Sequence, residues 1–198
     1  MSTITEFSKL DLDKTYSYAD YLTWRFQDRV ELIKGKVFKM TPAPSRGHQG
    51  ISIALSAIVW NHFRGNPCQV YEAPFDVRLS KNKTSDKNAK TVVQPDLCVI
   101  CDPEKTDDRG CNGAPDLVVE ILSPGNSKRE MREKFEAYEE SGVREYWIVN
   151  AMDKNVIIYL LNDQGIFVGL KPFIETDELV SSIFPELKID LVEVFENG

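Results

Sequence analysis

The chain has 198 residues, with 24 Lys plus Arg against 31 Asp plus Glu, a formal net charge of −7. Hydrophobic residues make up 42% and charged residues 28%, a globular composition that excludes long disorder, collagen-like repeats and coiled coil. No apolar run approaches the roughly 18 residues of a membrane span, and the acidic balance argues against a passive DNA-coating protein, whose affinity comes from a basic excess.

The length predicts a single domain over residues 15–198, preceded by a flexible arm over residues 1–14 with few apolar side chains. The opening MSTITEFSKLDLDK has acids and no apolar h-region, so neither a secretory signal nor a transit peptide is expected. A cytoplasmic location follows, in which the four cysteines would be reduced thiols.

Tyr18, Leu22 and Phe26 recur at four-residue spacing and predict a short helix over residues 16–27. ELIKGKVFKM reads as a hairpin around Lys34-Gly35, and TPAPSRG as a turn. Ile51, Ala54, Leu55, Ile58 and Val59 repeat at three and four, an amphipathic helix over 48–63 that Gly65 and Pro67 end. CQVYEAPFDVRL follows as a strand, bulged at Pro74. The polar, Lys-rich segment 80–91 has no aliphatic anchor and predicts a mobile loop.

VVQPDLCVIC and APDLVVEIL are the second and third strands. Ser127 and Glu130 form a capping box for a helix over 128–140 whose buried stripe is Met131, Phe135 and Tyr138, stopped by Gly142. REYWIVN is a fourth strand, NVIIYLLND and GIFVGL form a hairpin, and the tail gives an extended piece and a last helical turn. Near-continuous apolar runs such as LVVEIL need cover on both faces, so the expected architecture is α/β, a mixed sheet flanked by helices with α-β-β-β-α-β order at its core.

Two acids sit where an ordinary strand avoids them: Asp96 in VVQPDLCVI and Glu120 in DLVVEIL. A buried carboxylate needs a partner, a proton or a metal. On neighbouring strands the two would face each other and repel unless a divalent cation lay between them. Magnesium suits that, since it takes one or two carboxylates and completes its shell with water and substrate phosphate. The ordinary alternative is that Asp96 caps a strand start and Glu120 pairs with Arg129 or Arg144. Cys98 and Cys101 form C-x-x-C but point to opposite faces of a regular strand, so they suit apolar packing, not zinc. No phosphate loop, G-x-S-x-G elbow or H-E-x-x-H occurs.

Pro95-Asp96 followed by Glu120, in that element order, is similar to the PD-(D/E)XK nuclease superfamily. GAPDLVVEILSPGNSKREMREKFEAYEESGVREYWIVNA, with ELIKGKV, PAPSRGHQ and VVQPDLCVICDP, resembles more narrowly the bacterial restriction endonuclease family called Uma-two, over residues 15 to 190. The resemblance implies a magnesium- or manganese-dependent endonuclease that hydrolyses DNA phosphodiester bonds, with Asp96 and Glu120 on the metal. The superfamily lysine two residues after the glutamate is Leu122 here, and the resemblance implies Lys134, on the next helix, in its place. The ordinary alternative for Lys134 is a salt bridge with Glu130 or packing of its stem on Tyr138. Glu31 and His48 match the family pattern as further site members, and Gln94 would share a strand face with Asp96. Lys81, Lys83, Lys87 and Lys90 are candidate contacts to the DNA backbone. A homodimer fits double-strand cutting. Two other functions stay open: a catalytically silent domain that binds nucleic acid or a protein, and a metal-dependent hydrolase on another phosphate substrate.

Overall fold

A computed structural model describes residues 3–40, 45–123, 128–196 and 198. The expected turn at Pro42 and Pro44 and the Ser127 cap lie outside those residues. In chain order the elements are α1 (Tyr18–Tyr21), the hairpin β1 (Val30–Ile33) and β2 (Lys36–Lys39), and α2 (Arg46–Phe63). Next come β3 (Gln69–Glu72), β4 (Val77–Arg78), β5 (Val92–Val93), β6 (Leu97–Ile100), β7 (Thr106–Asp107), β8 (Gly110–Asn112) and β9 (Leu117–Leu122). The second half holds α3 (Lys128–Ser141), β10 (Glu145–Asn150), β11 (Asn155–Leu161), β12 (Phe167–Gly169), β13 (Phe173–Ile174), β14 (Glu178–Val180), β15 (Lys188–Asp190) and α4 (Leu191–Phe195).

The strands form two main sheets where one was expected. The first has order β2-β1-β5-β4-β8-β7, the second β12-β11-β10-β9-β6-β3, and β14 pairs with β15 apart from both. The parallel pair β9–β10 requires a crossover, which α3 supplies. Side-chain alternation splits the second sheet between two cores. Leu97, Val99, Leu117, Val119, Trp147 and Val149 pack with Ile51, Leu55 and Val59 of α2 and Val194 and Phe195 of α4. Cys98, Ile100, Val118 and Tyr146 face the other way, onto Ala137 and Tyr138 of α3 and Ile33 and Val77 of the first sheet. Burial on both sides explains the unbroken apolar runs of β9 and β10.

Five expectations need correction. VVQPDLCVIC is two strands: β5 lies in the first sheet and β6 in the second, with the crossing at residues 94–96. CQVYEAPFDVRL crosses the same way between β3 and β4. In each case the crossing holds a proline, which cannot donate to a ladder and so ends the pairing. The first helix is four residues long, held by a capping box between Ser17 and Asp20, and the Thr23 hydroxyl donates to the Asp20 carbonyl as it ends. Beyond it the chain wraps Tyr21, Trp24 and Phe26 against one another in place of a further helical turn. The 80–91 segment has no helix or strand but does have an anchor: Ala89 is buried and its carbonyl accepts from Tyr18 N at 2.9 Å. Finally, Cys68 and Cys101 form a disulfide, leaving only Cys98 and Cys111 as free thiols. The register Gln69↔Ile100 between β3 and β6 sets them opposite each other.

Other expectations match. The β1–β2 hairpin turns on Lys34 (φ 51°) and Gly35 (φ 78°), the left-handed pair a two-residue turn of this type requires. There the polypeptide also passes so near the segment before α1 that a Cβ on Gly35 would lie 2.9 Å from that of Thr15. α2 and α3 fall within two residues of their predicted bounds, and Met131 and Phe135 are half-buried beside fully buried Tyr138. Among the described residues no helix is long and apolar enough to cross a membrane.

Candidate active site

The two crossings lie side by side, with Ala73 N donating to the Asp96 carbonyl at 3.2 Å. The sheets part there, and the gap is a cleft of about 210 Å³ lined by Met40, His48, Gln94, Asp96, Glu120 and Lys134 among others. A roomier groove lies outside α2, about 360 Å³, lined by Ile53, Ala57, Trp60, Val70 and Leu97. It gathers no cluster of titratable side chains, so the chemistry belongs to the smaller cleft.

β6 and β9 pair with Leu97 opposite Val119, and continuing that register by one brings Asp96 opposite Glu120. Glu120 meets α3 from β9, and Asp96 enters the same cleft from the crossing. Asp96 Oδ2 accepts from Ile121 N at 2.7 Å and lies 3.4 Å from His48 Nε2. Ser45 caps α2 by accepting from His48 N, which aims the imidazole along the helix start into the cleft. Glu120 Oε1 takes the Lys134 ammonium at 2.8 Å and the Tyr138 hydroxyl at 2.5 Å. Lys134 and Tyr138 are four apart on α3, one turn, so they meet one carboxylate together. Lys134 also reaches Glu31 Oε1 at 3.0 Å, and Gln94 N donates to that same oxygen at 2.7 Å.

The floor of the cleft is its most buried part. Lys134 is 7% exposed and Glu31 1%. Burial pushes the Glu120 carboxyl up to about 7, as do the Asp96 and Glu31 charges, against the pull of Lys134. Burial alone would depress Lys134, but Glu120 and Glu31 outweigh it and hold the ammonium well above the usual lysine value. The hydrogen bond to Asp96 raises His48, with burial opposing. Two buried atoms of the site, Glu31 Oε2 and His48 Nδ1, have no hydrogen-bond partner among the described residues.

The structure thus brings together Asp96, Glu120, Lys134, Glu31, His48 and Gln94. Gln94 arrives from the crossing between strands and not from a strand face. Glu120 pairs with Lys134 rather than with Arg129 or Arg144, and Arg144 pairs with Asp116. None of Lys81, Lys83, Lys87 and Lys90 lines the cleft; Lys83 reaches Glu104 at 3.6 Å. Reasoning from sequence passed over Tyr138 as a partner of Glu120, although its spacing from Lys134 carried the signal. It also passed over Arg29, two residues before Glu31.

Magnesium fits these donors. Among the described residues no three His, Cys, Asp or Glu side chains converge to hold a metal unaided. Two hard carboxylates suffice for an ion that keeps much of its water, and Glu31 Oε2, buried close to Lys134, has no hydrogen-bond partner among the described residues.

A family model described as "Putative restriction endonuclease" (Uma2) matches residues 18–192. The chain belongs to this family. An uncharacterized protein of Synechocystis sp. is 28% identical over 149 residues, 74% of each chain. The crystal structure of a "putative nuclease" from Anabaena variabilis superimposes with a TM-score of 0.71 at 16% identity, over 92% of this chain and 98% of that one. That likeness establishes the Uma2 fold here, and family and fold together are those of restriction-endonuclease-like nucleases.

Proposed function

We propose that the chain is a magnesium- or manganese-dependent endonuclease that hydrolyses phosphodiester bonds in DNA. One observation carries the reading: two carboxylates, Asp96 and Glu120, share one cleft with a lysine held at 2.8 Å from one of them. Asp96 and Glu120 would hold the divalent ion, which would supply an acidified water and a counter-charge for the phosphate. Lys134 keeps its proton at every pH of interest and places a fixed positive charge at the cleft floor, where charge grows on the phosphate in the transition state. Its origin on α3 makes up for Leu122, which occupies the usual lysine position on β9. His48, with Asp96 on Nε2, is placed to donate or take a proton at the cleft wall. Glu31 and Tyr138 orient Lys134 and Glu120.

The test is cleavage of supercoiled plasmid with magnesium or manganese, beside Asp96→Ala, with calorimetric titration of the metal alone. Metal-dependent nicking lost in the variant is expected. Cleavage that persists in Asp96→Ala removes the proposed site. Tight DNA binding without cleavage by the wild type would make this a silent nucleic-acid-binding relative.

A further inference from the structure

The two long-chain cations in the cleft lining stand in opposite electrostatic situations. Lys134 is matched by two carboxylates. Arg29 is exposed and makes no ion pair among the described residues; its guanidinium meets only Gln94 Oε1, at 2.6 Å. Met40 N donates to the Arg29 carbonyl, so the β1–β2 ladder extends to Arg29 and sets it on the cleft face with Glu31.

The Gln94 amide has one orientation available. Its Nε2 donates to Asp76 Oδ1 at 2.8 Å, and Asp76 Oδ2 accepts from the Tyr18 hydroxyl at 2.9 Å. A carboxylate donates nothing, so the amide nitrogen faces Asp76 and the oxygen faces Arg29. Tyr18, Asp76 and Gln94 therefore aim the guanidinium without neutralising it, because an amide oxygen is a dipole and not a counter-charge. The remaining lining includes the acids Glu72, Asp96, Glu120 and Glu130, which alone would repel a polyanion.

We propose that Arg29 is a phosphate-binding residue that seats a backbone phosphate of the substrate at the cleft mouth. A guanidinium grips two phosphate oxygens in parallel, and the relay from Tyr18 holds it ready to do so. The inference rests on the nucleic-acid reading of the cleft, and the experiment separates the two. Binding of a short labelled duplex in EDTA is measured at several salt concentrations for wild type, Arg29→Ala and Arg29→Lys. Arg29→Ala is expected to bind about tenfold more weakly, with the slope of log affinity against log salt shallower by about 0.9. Arg29→Lys keeps the slope and loses part of the affinity. Wild-type affinity and slope in Arg29→Ala overturn the proposal, and so does weaker binding at an unchanged slope. Should wild type bind no duplex, calorimetry with inorganic phosphate decides: heat lost in Arg29→Ala keeps the anion site and removes only the nucleic acid. No heat from wild type removes both.

Discussion

Asp96 Oδ2 accepts the amide hydrogen of Ile121, tethering the acid at the head of β6 to the residue that follows Glu120 on β9. In the proposed function the carboxylate has two separable duties, a neutral one as acceptor and a charged one toward the metal. Asp96→Asn retains a carbonyl for the amide and is expected to stay within about 1 kcal/mol of wild-type stability while losing magnesium binding by calorimetry. Asp96→Ala leaves the Ile121 amide unmet and costs about 1–3 kcal/mol in denaturant unfolding. Wild-type magnesium affinity in Asp96→Asn would show that the residue is only a strand tie.

Lys134 is the sole cation between Glu31 and Glu120 among the described residues, and all three are nearly sealed from water. Lys134→Met strands two carboxylates and is expected to cost about 3–5 kcal/mol in urea unfolding. Adding Glu31→Gln removes one of the stranded charges and should recover part of that loss, a non-additivity read from the double-mutant cycle. Simple additivity would mean that the triad is not coupled.

The His48–Asp96 contact predicts a pH dependence of stability. Folding raises the His48 pKa above its usual 6.5, so the folded state binds the proton more tightly. The resulting stabilisation is complete below 6.5 and disappears as pH rises through the folded value. Glu120, raised from 4.5 to about 7, acts with the same sign over a lower window. His48→Gln should therefore lie furthest below wild type near pH 6 and approach it at alkaline pH. A gap that widens with pH would contradict the sign.

The Cys68–Cys101 disulfide closes a loop with a sequence separation of 33, which contains both crossings and all of β4 and β5. Reduction, or paired serine substitution, is expected to lower stability by about 2–4 kcal/mol. Equal denaturation midpoints with and without reductant would show that the loop is already confined without it.

The β1–β2 hairpin, α2, α3 and the β11–β12 hairpin were legible because each follows from local pattern: a Lys-Gly turn, a period near 3.6, or an apolar alternation. Asp96 and Glu120 were legible as misfits, charges inside runs that otherwise bury. The two broken strands were not, since an apolar run before Pro95 and another after it look alike whether they join one sheet or two. The disulfide depends on the β3–β6 register, which composition does not encode. Tyr18, Asp76, Gln94 and Arg29 span 58 residues between Tyr18 and Asp76 alone, and meet only because the sheets diverge.

The passage of the polypeptide from one sheet to the other at residues 73–76 and again at 94–96 gives the molecule a fixed corner. Everything distal to it, including β4, the 80–91 segment and β5, leaves and returns through adjoining points. Such an excursion can grow, shrink or change charge while its two anchors stay put.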